Sequence, residues 1–273
     1  MKNLITRTLS GIVYVALIVG AILNVEISVQ VSFIPFAILF GLFVAAGMYE
    51  AIKIVSPAHE FKPADSIDIL GGLILFLSVF LGLDSLTYLL TLPLAYFVLR
   101  LVIQLYAPKV NAIEAYQRSF FALSYVAFPL SLLWLVLVNG NIILLSVFIF
   151  IWLNDTGAFI VGSLLGKHKM FPRISPKKSW EGLVGGFIFT IASSVLISHL
   201  TADTQPLMLW QWICLAVIVS TAATLGDLVE SLLKRTAGVK DSGNIIPGHG
   251  GILDRIDSLL LVSPCVVIYL SLI

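Results

Sequence analysis

The stretch from Gly226 to Ser258 reads GDLVESLLKRTAGVKDSGNIIPGHGGILDRIDS and lies between two apolar segments. It holds nine Asp, Glu, Lys and Arg residues, together with a histidine and several glycines. Only 11% of the whole chain is charged, so charge is concentrated here. Because ionisable groups close to lipid are costly, such a concentration marks a functional site. The rest of the chain is predicted to be the membrane scaffold that holds this stretch.

The composition predicts an all-α, polytopic integral membrane protein. Hydrophobic residues make up 59% of the 273 residues, and the mean hydropathy is +1.05. A soluble domain of this size would need more polar residues to cover its surface. Cys214 and Cys265 lie in apolar runs far from any Cys or His cluster, so neither a disulfide framework nor a metal site of that type is indicated. No nucleic-acid partner is expected.

Apolar runs predict about nine transmembrane helices, each able, or nearly able, to cross a hydrocarbon layer of about 30 Å. Residues 1–153 are predicted to form a scaffold of helices. Residues 154–273 are predicted to add further helices and two cytoplasmic catalytic loops, 154–181 and 226–255. The nine runs lie near residues 8–23, 31–49, 69–83, 86–106, 119–138, 141–161, 182–199, 207–225 and 256–273.

The charge distribution predicts the orientation of these helices. With nine spans and a cytoplasmic N-terminus, all 16 Lys and Arg residues fall on the inner side, including Arg100 and Arg118. The positive-inside rule then puts the C-terminus outside and both long loops in the cytoplasm. The loop at 50–68 is predicted to be a solvated connector, since its charge is mixed and it contains two prolines.

A polar helix face is predicted at the end of the eighth span. Asp227, Glu230, Ser231 and Lys234 lie at i, i+3, i+4 and i+7, which brings two carboxylates, a hydroxyl and an amine onto one side of a helix. An internally paired, solvated helix end is the alternative. The abrupt start of the polar face at the end of an apolar span favours a functional role.

The segment after Gly238 is predicted to be a loop that binds phosphate. Pro247 and the glycines at 248, 250 and 251 exclude a regular helix around His249. Successive backbone N–H groups form an anion-binding concavity, and a helix that starts near Ile252 would point its positive end at the same anion. His249 has three possible roles: a structural hydrogen bond, a phosphate contact or proton transfer.

Carboxylates beside such a loop predict a divalent cation. Asp254 and Asp257 lie at i, i+3 in the first turns of the last helix. They would repel a polyphosphate unless a hard cation lay between them, and Mg²⁺ commonly binds one or two carboxylates plus phosphate oxygens. Asp227 and Asp254 are the predicted ligands. Glu230 and Asp257, with Asp155, are predicted to orient the site or to hold a second cation.

A second cluster of candidate residues follows the sixth span. Asn154 and Asp155 end an apolar run and are costly at membrane depth without a function. Lys167 follows, and then SPKKSWEG at 175–182, with a predicted turn at Ser175 and Pro176 and a helix that begins at Glu181 and Gly182. Positive-inside anchoring is an alternative explanation of the lysines.

These motifs resemble those of phosphatidate cytidylyltransferases, also called CDP-diacylglycerol synthases. The run S-x-L-K-R-x4-K-D-x-G-x2-I-P-x-H-G-G-x2-D-R-x-D is filled from Ser231 to Asp257. NDTGAF at 154–159, GKHK at 166–169 and SPKKSWEG at 175–182 are also similar to this family. The resemblance is specific over residues 154–258 and only hydropathic over the first 150.

The resemblance implies that CTP and phosphatidic acid react to give CDP-diacylglycerol and pyrophosphate in a multi-pass protein of the cell (inner) membrane. It implies Mg²⁺, a second and monovalent cation such as K⁺, and a homodimer. The candidate catalytic residues are Asp227, Asp254, Lys234, Arg235, Lys240, Asp241, Arg255 and His249. The candidate substrate-binding residues are Asn154, Asp155, Lys167, Ser175, Lys177, Lys178, Glu181, Ser231, Gly248, Gly250 and Gly251.

Three other classes of function fit some of these features. A CTP-dependent kinase of a polyprenol or another lipid alcohol could use a similar site, but it would transfer the γ-phosphate. An ion-coupled transporter would be expected to have charges spread over several spans and symmetric halves, and neither is seen. A non-catalytic lipid-binding protein would need the basic loops but would leave the carboxylates unexplained.

Overall fold

The computed structural model describes residues 2–25, 30–56, 61, 65–82, 85–106, 111–204, 207–245 and 250–273. The described chain is almost entirely helical, with one short antiparallel ribbon of strands β1 (Lys169–Phe171) and β2 (Ser175–Ser179). The helices are α1 (Lys2–Leu23), α2 (Ile34–Val55), α3 (Ser66–Gly82), α4 (Leu86–Leu105), α5 (Ala112–Ala122), α6 (Phe128–Ser131), α7 (Leu133–Val138), α8 (Asn141–Leu165), α9 (Trp180–Leu200), α10 (Leu209–Thr236) and α11 (Leu253–Leu270).

The protein is an all-α, multi-pass membrane protein, as the composition predicts. Within the described residues, six helical segments are long and apolar enough to cross a bilayer, and two further apolar helices, Thr8–Leu23 and Ser66–Gly82, are shorter. Helices α3 and α4 are separate elements, as predicted. The six segments are Ile34–Val55, Thr87–Leu105, Ala112–Val138, Asn141–Leu165, Trp180–Leu200 and Leu209–Thr236.

The chain forms two compact units, and each is built from two stretches of sequence. The N-terminal unit consists of Met1–Leu135 and Val239–Ile256. The C-terminal unit consists of Val136–Gly238 and Asp257–Ile273. The polar stretch quoted at the outset is therefore shared: its helical beginning belongs to the C-terminal unit and its loop to the N-terminal unit.

Aromatic side chains form the centre of the N-terminal unit. Trp134 is fully buried, and its ring lies 4.6 Å from that of Phe36 and 4.5 Å from that of Phe80, measured between centroids. Phe76 adds a third ring at 5.4 Å. Such tilted and edge-on contacts are favoured by the ring quadrupole. They join α2, α3 and α7 around one apolar core.

A buried polar network also stabilises the N-terminal unit. Asp68 Oδ1 accepts hydrogen bonds from Tyr96 OH at 2.8 Å, Arg100 Nε at 2.6 Å and Ser119 Oγ at 2.7 Å. Arg118 pairs with Asp65, at 3.7 Å. The assignment of Arg100 and Arg118 to cytoplasmic loops is therefore wrong. Both lie within helices and are buried, because each has a carboxylate partner that offsets its desolvation.

Glycines let α8 and α9 pack closely in the C-terminal unit. A Cβ placed on Gly157 would lie 2.7 Å from the carbonyl oxygen of Gly185, and one on Gly185 would lie 2.8 Å from that of Gly157. Gly162 and Gly182 approach each other in the same way, so the two helices run antiparallel. Small residues at a helix interface allow such backbone contact within a membrane. This packing fixes the residues that α8 and α9 contribute to the site.

Gly226 allows a similarly close contact between α10 and the start of α11. A Cβ here would lie 2.8 Å from the carbonyl oxygen of Asp257 and 3.1 Å from Cα of Ser258. Because both atoms belong to backbone, we expect Gly226→Ala to lower the free energy of unfolding by about 1–3 kcal/mol. Thermal unfolding in detergent measures this. The matched control is Gly11→Ala, at a glycine with open space around it; equal stability of the two variants would contradict the prediction.

The structure corrects the predicted boundaries of both long loops. Helix α8 continues to Leu165, so the first loop starts at residue 166 and carries the ribbon. Helix α10 continues to Thr236, as predicted for its polar end, and α11 begins at Leu253, one residue from the prediction.

The turn predicted at Ser175 and Pro176 is wrong: the turn lies at residues 172–174, and Ser175 begins β2. Pro176 fits a strand of a two-stranded ribbon because such a strand has an unpaired edge.

Candidate functional site

A cavity of about 330 Å³ lies in the C-terminal unit between α8, the ribbon, α9 and α10. Six of the sequence-predicted residues line it, and they come from both of the predicted polar clusters. They are Asn154, Asp155, Ser175, Lys177, Lys178 and Asp227. The other lining residues are Ala158, Phe159, Met170, Ser179, Gly182, Leu183 and Thr224. Segments far apart in the sequence therefore converge on one site.

An ion pair between Lys178 and Asp227 joins the ribbon to α10. Lys178 Nζ lies 2.7 Å from Asp227 Oδ2 and donates to the carbonyl oxygen of Thr224 at 3.2 Å. Ser231 Oγ donates to the other Asp227 oxygen at 3.2 Å, one helical turn further along. Both side chains of the ion pair keep contact with solvent, at 23% and 36% exposure. Further hydrogen bonds thus support the ion pair, which is also accessible to a ligand.

Asn154 is held at the inner wall of the cavity by two hydroxyl groups of α10. Ser220 Oγ donates to Asn154 Oδ1 at 2.5 Å, and Asn154 Nδ2 donates to Thr224 Oγ1 at 3.4 Å. A Cβ on Gly186 would overlap the Asn154 side chain, so the glycine leaves room for it. Burial of an amide is tolerable because its polar atoms are bonded.

Ser220 and Thr224 were not among the predicted site residues, although they follow a helical pattern. Ser220, Thr224, Asp227 and Ser231 follow spacings of four, three and four residues, which place them on one face of a helix. The predicted polar face therefore extends back into the apolar span. Ser and Thr hydroxyls within helices commonly donate to a backbone carbonyl of the same helix. Their presence alone therefore does not indicate a functional site.

Three carboxylates concentrate negative charge around this cavity. Asp155 and Asp227 line it and interact electrostatically, and Asp257 interacts with both. The close contact of Gly226 with Asp257 accounts for the approach of the third acid. Among the described residues, however, no three Asp, Glu, His or Cys side chains are grouped closely enough to hold a metal ion by themselves. Hard oxygen donors of this type suit Mg²⁺ when substrate phosphates complete its ligands.

The next turn of α10 carries a second ion pair. Glu230 and Lys234 are bonded to each other at i,i+4, and both are buried. This agrees with the alternative that part of the polar face is paired within its own helix. Arg235 follows with an exposed side chain. The predicted roles of these three residues in binding cations or pyrophosphate stay predictions.

Lys167 and Glu181 line a different and more open cavity, of about 690 Å³, on the ribbon. Glu181 accepts hydrogen bonds from the backbone N–H of His168 at 3.2 Å and pairs with its Nδ1 at 2.5 Å. It also lies in the first turn of α9, where a carboxylate is favoured by the helix dipole. Glu181 thus links the first turn of α9 to His168, the residue that precedes β1. Its proposed contact with substrate stays a prediction.

The predicted phosphate loop belongs to the N-terminal unit and is tied to carboxylates of the chain itself. Gly251 N donates to Asp254 Oδ2 at 2.8 Å, and Gly250 has a positive φ of 80° that places it against the same oxygen. The N–H groups of Ile252 and Leu253 donate to Glu50. In this structure the amide groups expected to face phosphate therefore face Asp254 and Glu50.

The remaining candidates belong to the loop sequence and to the start of α11. Lys240, Asp241 and Arg255 have exposed side chains. Gly248 and His249 lie outside the described residues, and their roles stay predictions. The two predicted Mg²⁺ ligands belong to different units, since Asp227 is part of the C-terminal unit and Asp254 of the N-terminal unit.

The sequence of this chain matches the model of the Cytidylyltransferase family over residues 5–273. This covers almost the whole chain, including both units. The chain belongs to the cytidylyltransferase family.

Proteins named phosphatidate cytidylyltransferase are similar to this member of the cytidylyltransferase family. One from Staphylococcus saprophyticus is 45% identical over 149 residues, which is 55% of this chain and 56% of that protein. One from Staphylococcus haemolyticus is 46% identical over 132 residues, or 48% and 50%. One from Haemophilus influenzae is 44% identical over 128 residues, or 46% and 44%. The matched part of the chain spans about half the length of these relatives.

Proposed function

We propose that this cytidylyltransferase-family protein is a phosphatidate cytidylyltransferase, which transfers CMP from CTP to phosphatidic acid and releases pyrophosphate. The observation that carries the proposal is the cavity where Lys178, Asp227, Asn154 and Asp155 meet. It combines cations for phosphate groups with carboxylates for a divalent cation. The relatives named phosphatidate cytidylyltransferase support the choice of substrates.

The position of Asp227 along α10 suits a reaction between a lipid and a water-soluble nucleotide. Helix α10 has 28 residues, and Asp227 lies eighteen residues after Leu209, about 27 Å along the axis. This distance is close to the hydrocarbon thickness of about 30 Å. The cavity would therefore lie at the membrane boundary, where phosphatidic acid comes from the bilayer and CTP from the cytoplasm.

The proposed reaction needs positioning and charge neutralisation more than acid–base chemistry. A phosphate oxygen of phosphatidic acid attacks the α-phosphorus of CTP, an O–P bond forms, and the bond to the β-phosphate breaks to release pyrophosphate. A phosphate monoester is largely ionised near pH 7, since its second pKa is about 6. No strong general base is needed, and Lys178 and Lys177 would hold the anionic headgroup against the cavity.

We propose Mg²⁺ as the cofactor of this site. Asp227 would supply a protein oxygen, and Asp155 and Asp257 would orient the site or hold a second cation, which fits an ion that binds one or two carboxylates and otherwise substrate phosphates. When bound, Mg²⁺ would neutralise charge on the triphosphate. Asp254 as a second ligand, K⁺ as a second cation and a pyrophosphate-binding role for Lys234, Arg235, Lys240 and Arg255 are further parts of the proposal.

The topology completes the proposal. We infer nine spans in the cell membrane, with the N-terminus and both loops in the cytoplasm and the C-terminus outside, because the lysines then stay on the inner side. The cavity residues of α10 and of the ribbon would then lie on the cytoplasmic side. A homodimer is inferred from the family resemblance.

Product analysis tests the proposed function. Purified protein in detergent is incubated with CTP labelled in the α-phosphate, phosphatidic acid and Mg²⁺, and lipids are then extracted. We expect the label in the lipid fraction and one pyrophosphate for each labelled lipid. Label transfer only from γ-labelled CTP to a polyprenol or another lipid alcohol would replace the proposal with a CTP-dependent lipid kinase.

Replacement of Lys178 tests the headgroup role. We expect Lys178→Ala to raise the KM for phosphatidic acid by about 10- to 100-fold, because a hydrogen bond from a charged donor is lost. The KM for CTP should change less. Initial rates at varied lipid mole fraction in mixed micelles measure both constants.

The matched control is Lys169→Ala. Lys169 is an exposed lysine of the same ribbon and does not line the cavity with Asp227. The Lys169→Ala variant should have KM values for phosphatidic acid and for CTP near those of the unmodified protein. Equal increases of the two KM values in the Lys178 variant would remove the headgroup role.

A further inference from the structure

Glu50 is a buried acid that the cavity in the C-terminal unit does not use. It lies near the end of α2, in a helix that is otherwise mostly apolar, and it is only 1% exposed. A carboxylate buried this deeply is costly unless hydrogen bonds satisfy its oxygens. The hydrogen-bond donors to its carboxylate therefore indicate its role.

Within the described residues, the hydrogen-bond donors to Glu50 come from the polar loop and the start of α11. Glu50 Oε1 accepts from Ile252 N at 3.1 Å, and Oε2 accepts from Leu253 N at 2.8 Å and from Ser242 Oγ at 2.9 Å. The first N–H groups of a helix have no partner within the helix, and the helix dipole favours a negative charge there. Glu50 thus caps the N-terminus of α11, although it lies 203 positions before Leu253 in the chain.

Ser242 links Glu50 to the predicted metal ligand Asp254. The Ser242 hydroxyl also lies 2.9 Å from Asp254 Oδ2, and Ser242 N donates to that oxygen at 3.0 Å. Gly251 N gives the same oxygen a further hydrogen bond at 2.8 Å. The orientation of the Asp254 side chain therefore depends on the loop that Glu50 holds.

The glycines of this loop fit closely around the Glu50 carboxylate. A Cβ on Gly243 or on Gly251 would overlap the Glu50 oxygens, and one on Gly251 would also overlap Ser242 Oγ. The loop backbone can approach the carboxylate only where side chains are absent. Gly251, which was predicted to bind phosphate, thus serves a contact with α2, and so does Gly243.

We propose that Glu50 is a positioning residue of the cytidylyl transfer: it fixes residues 242–243 and 251–253 and, through Ser242, the side chain of Asp254. This inference rests on the proposed function and on the predicted role of Asp254 as a ligand. Glu50 itself does not contact substrate in this proposal. Its effect is to present Asp254 in one orientation before Mg²⁺ and CTP bind.

A carboxylate is required here because it accepts on both oxygens. In Glu50→Gln an NH₂ group that only donates replaces one oxygen, so it would face the N–H of Ile252 or of Leu253, with donor against donor. Glu50→Asp keeps two acceptors on a side chain one methylene shorter. The two substitutions therefore separate the need for two acceptors from the need for an exact length.

The test compares the full-length protein with its Glu50→Gln variant in two measurements. Hydrogen exchange followed by mass spectrometry, without Mg²⁺, should show exchange of a peptide covering residues 250–254 at least about tenfold faster in the variant. The Mg²⁺ concentration for half-maximal activity should rise by about 10- to 100-fold, the range for loss of a group that supports a metal ligand. Glu50→Asp should restore part of the slow exchange at residues 250–254 and part of the normal Mg²⁺ requirement.

Asp68→Asn is the matched control. Asp68 is an equally buried acid of the same unit, and its bonds are to α4 and α5 instead of the loop. It should lower the unfolding temperature without changing exchange at 250–254 or the Mg²⁺ requirement. Gly251→Ala, which displaces the Glu50 carboxylate while keeping its charge, should behave like Glu50→Gln and serves as the second variant if Glu50→Gln does not fold.

The outcomes separate this inference from the proposed function. If the unmodified protein forms no CDP-diacylglycerol, the proposed function fails while the exchange data still report on the Glu50 contact. If it is active and Glu50→Gln has normal exchange and a normal Mg²⁺ requirement, the positioning role is overturned. The same result for Asp68→Asn as for Glu50→Gln would also overturn it, since the effect would then reflect general loss of stability.

Discussion

Replacing Asp227 with asparagine is expected to lower kcat for CDP-diacylglycerol formation by about 10²- to 10³-fold, while the protein stays folded. The substitution keeps the shape of the side chain and an acceptor for Ser231, but it removes the negative charge that pairs with Lys178. A preorganised charged group in an active site contributes effects of this size. Initial rates with labelled CTP and phosphatidic acid, at saturating Mg²⁺, measure the loss.

Asp203→Asn provides the control for Asp227→Asn. Asp203 also belongs to the C-terminal unit, but it is exposed in the turn after α9 and does not line the cavity. Its substitution should leave kcat unchanged. Near-normal turnover by Asp227→Asn, with an unchanged elution volume in gel filtration, would refute a catalytic role for the acid and leave the cavity without its central residue.

Replacing Asp254 with asparagine is the second large effect, and it separates two roles of the residue. Asp254 Oδ2 accepts hydrogen bonds from the backbone N–H groups of Ser242 and Gly251 and lies 2.9 Å from the Ser242 hydroxyl, and an amide oxygen can accept the same bonds. The loop should therefore stay ordered in Asp254→Asn, while the charge is lost. If Asp254 is a metal ligand, we expect activity to fall by about 100-fold or more, as for Asp227.

Asp254→Ala is the comparison that completes this experiment. It removes the charge and the acceptors together, so hydrogen exchange of the loop should accelerate in Asp254→Ala and not in Asp254→Asn. Activity should be low in both. Full activity of Asp254→Asn with loss only in Asp254→Ala would assign the residue a purely structural function and would exclude the ligand role.

The cavity in the C-terminal unit was largely predictable because its residues follow local patterns. Asn154 and Asp155 stand out as polar groups at the end of an apolar run, and Asp227 begins a polar helix face. That Lys178 pairs with Asp227 was not predictable, since it depends on the register of a ribbon between α8 and α9. The hydroxyls of Ser220 and Thr224 lay within reach of the same helical pattern but carried too weak a signal.

The N-terminal unit was less predictable because its polar residues pair over long distances. Glu50 was assigned to a solvated connector, although an acid at the end of an apolar run meets the same criterion that identified Asp155. Its partner Ser242 lies 192 positions away, and no local pattern links the two. Arg100 and Arg118 were misassigned for the same reason, because the positive-inside rule counts charges without seeing their carboxylate partners.

The two-part construction of the N-terminal unit has a consequence for biosynthesis. Glu50 leaves the ribosome long before Ser242 and Leu253 do, since 192 and 203 positions separate them in the chain. The nascent protein must therefore insert most of its helices while this acid still lacks its eventual donors. The first unit to be translated is completed almost last, so premature termination before residue 242 leaves an unfinished product for membrane quality-control proteases to remove.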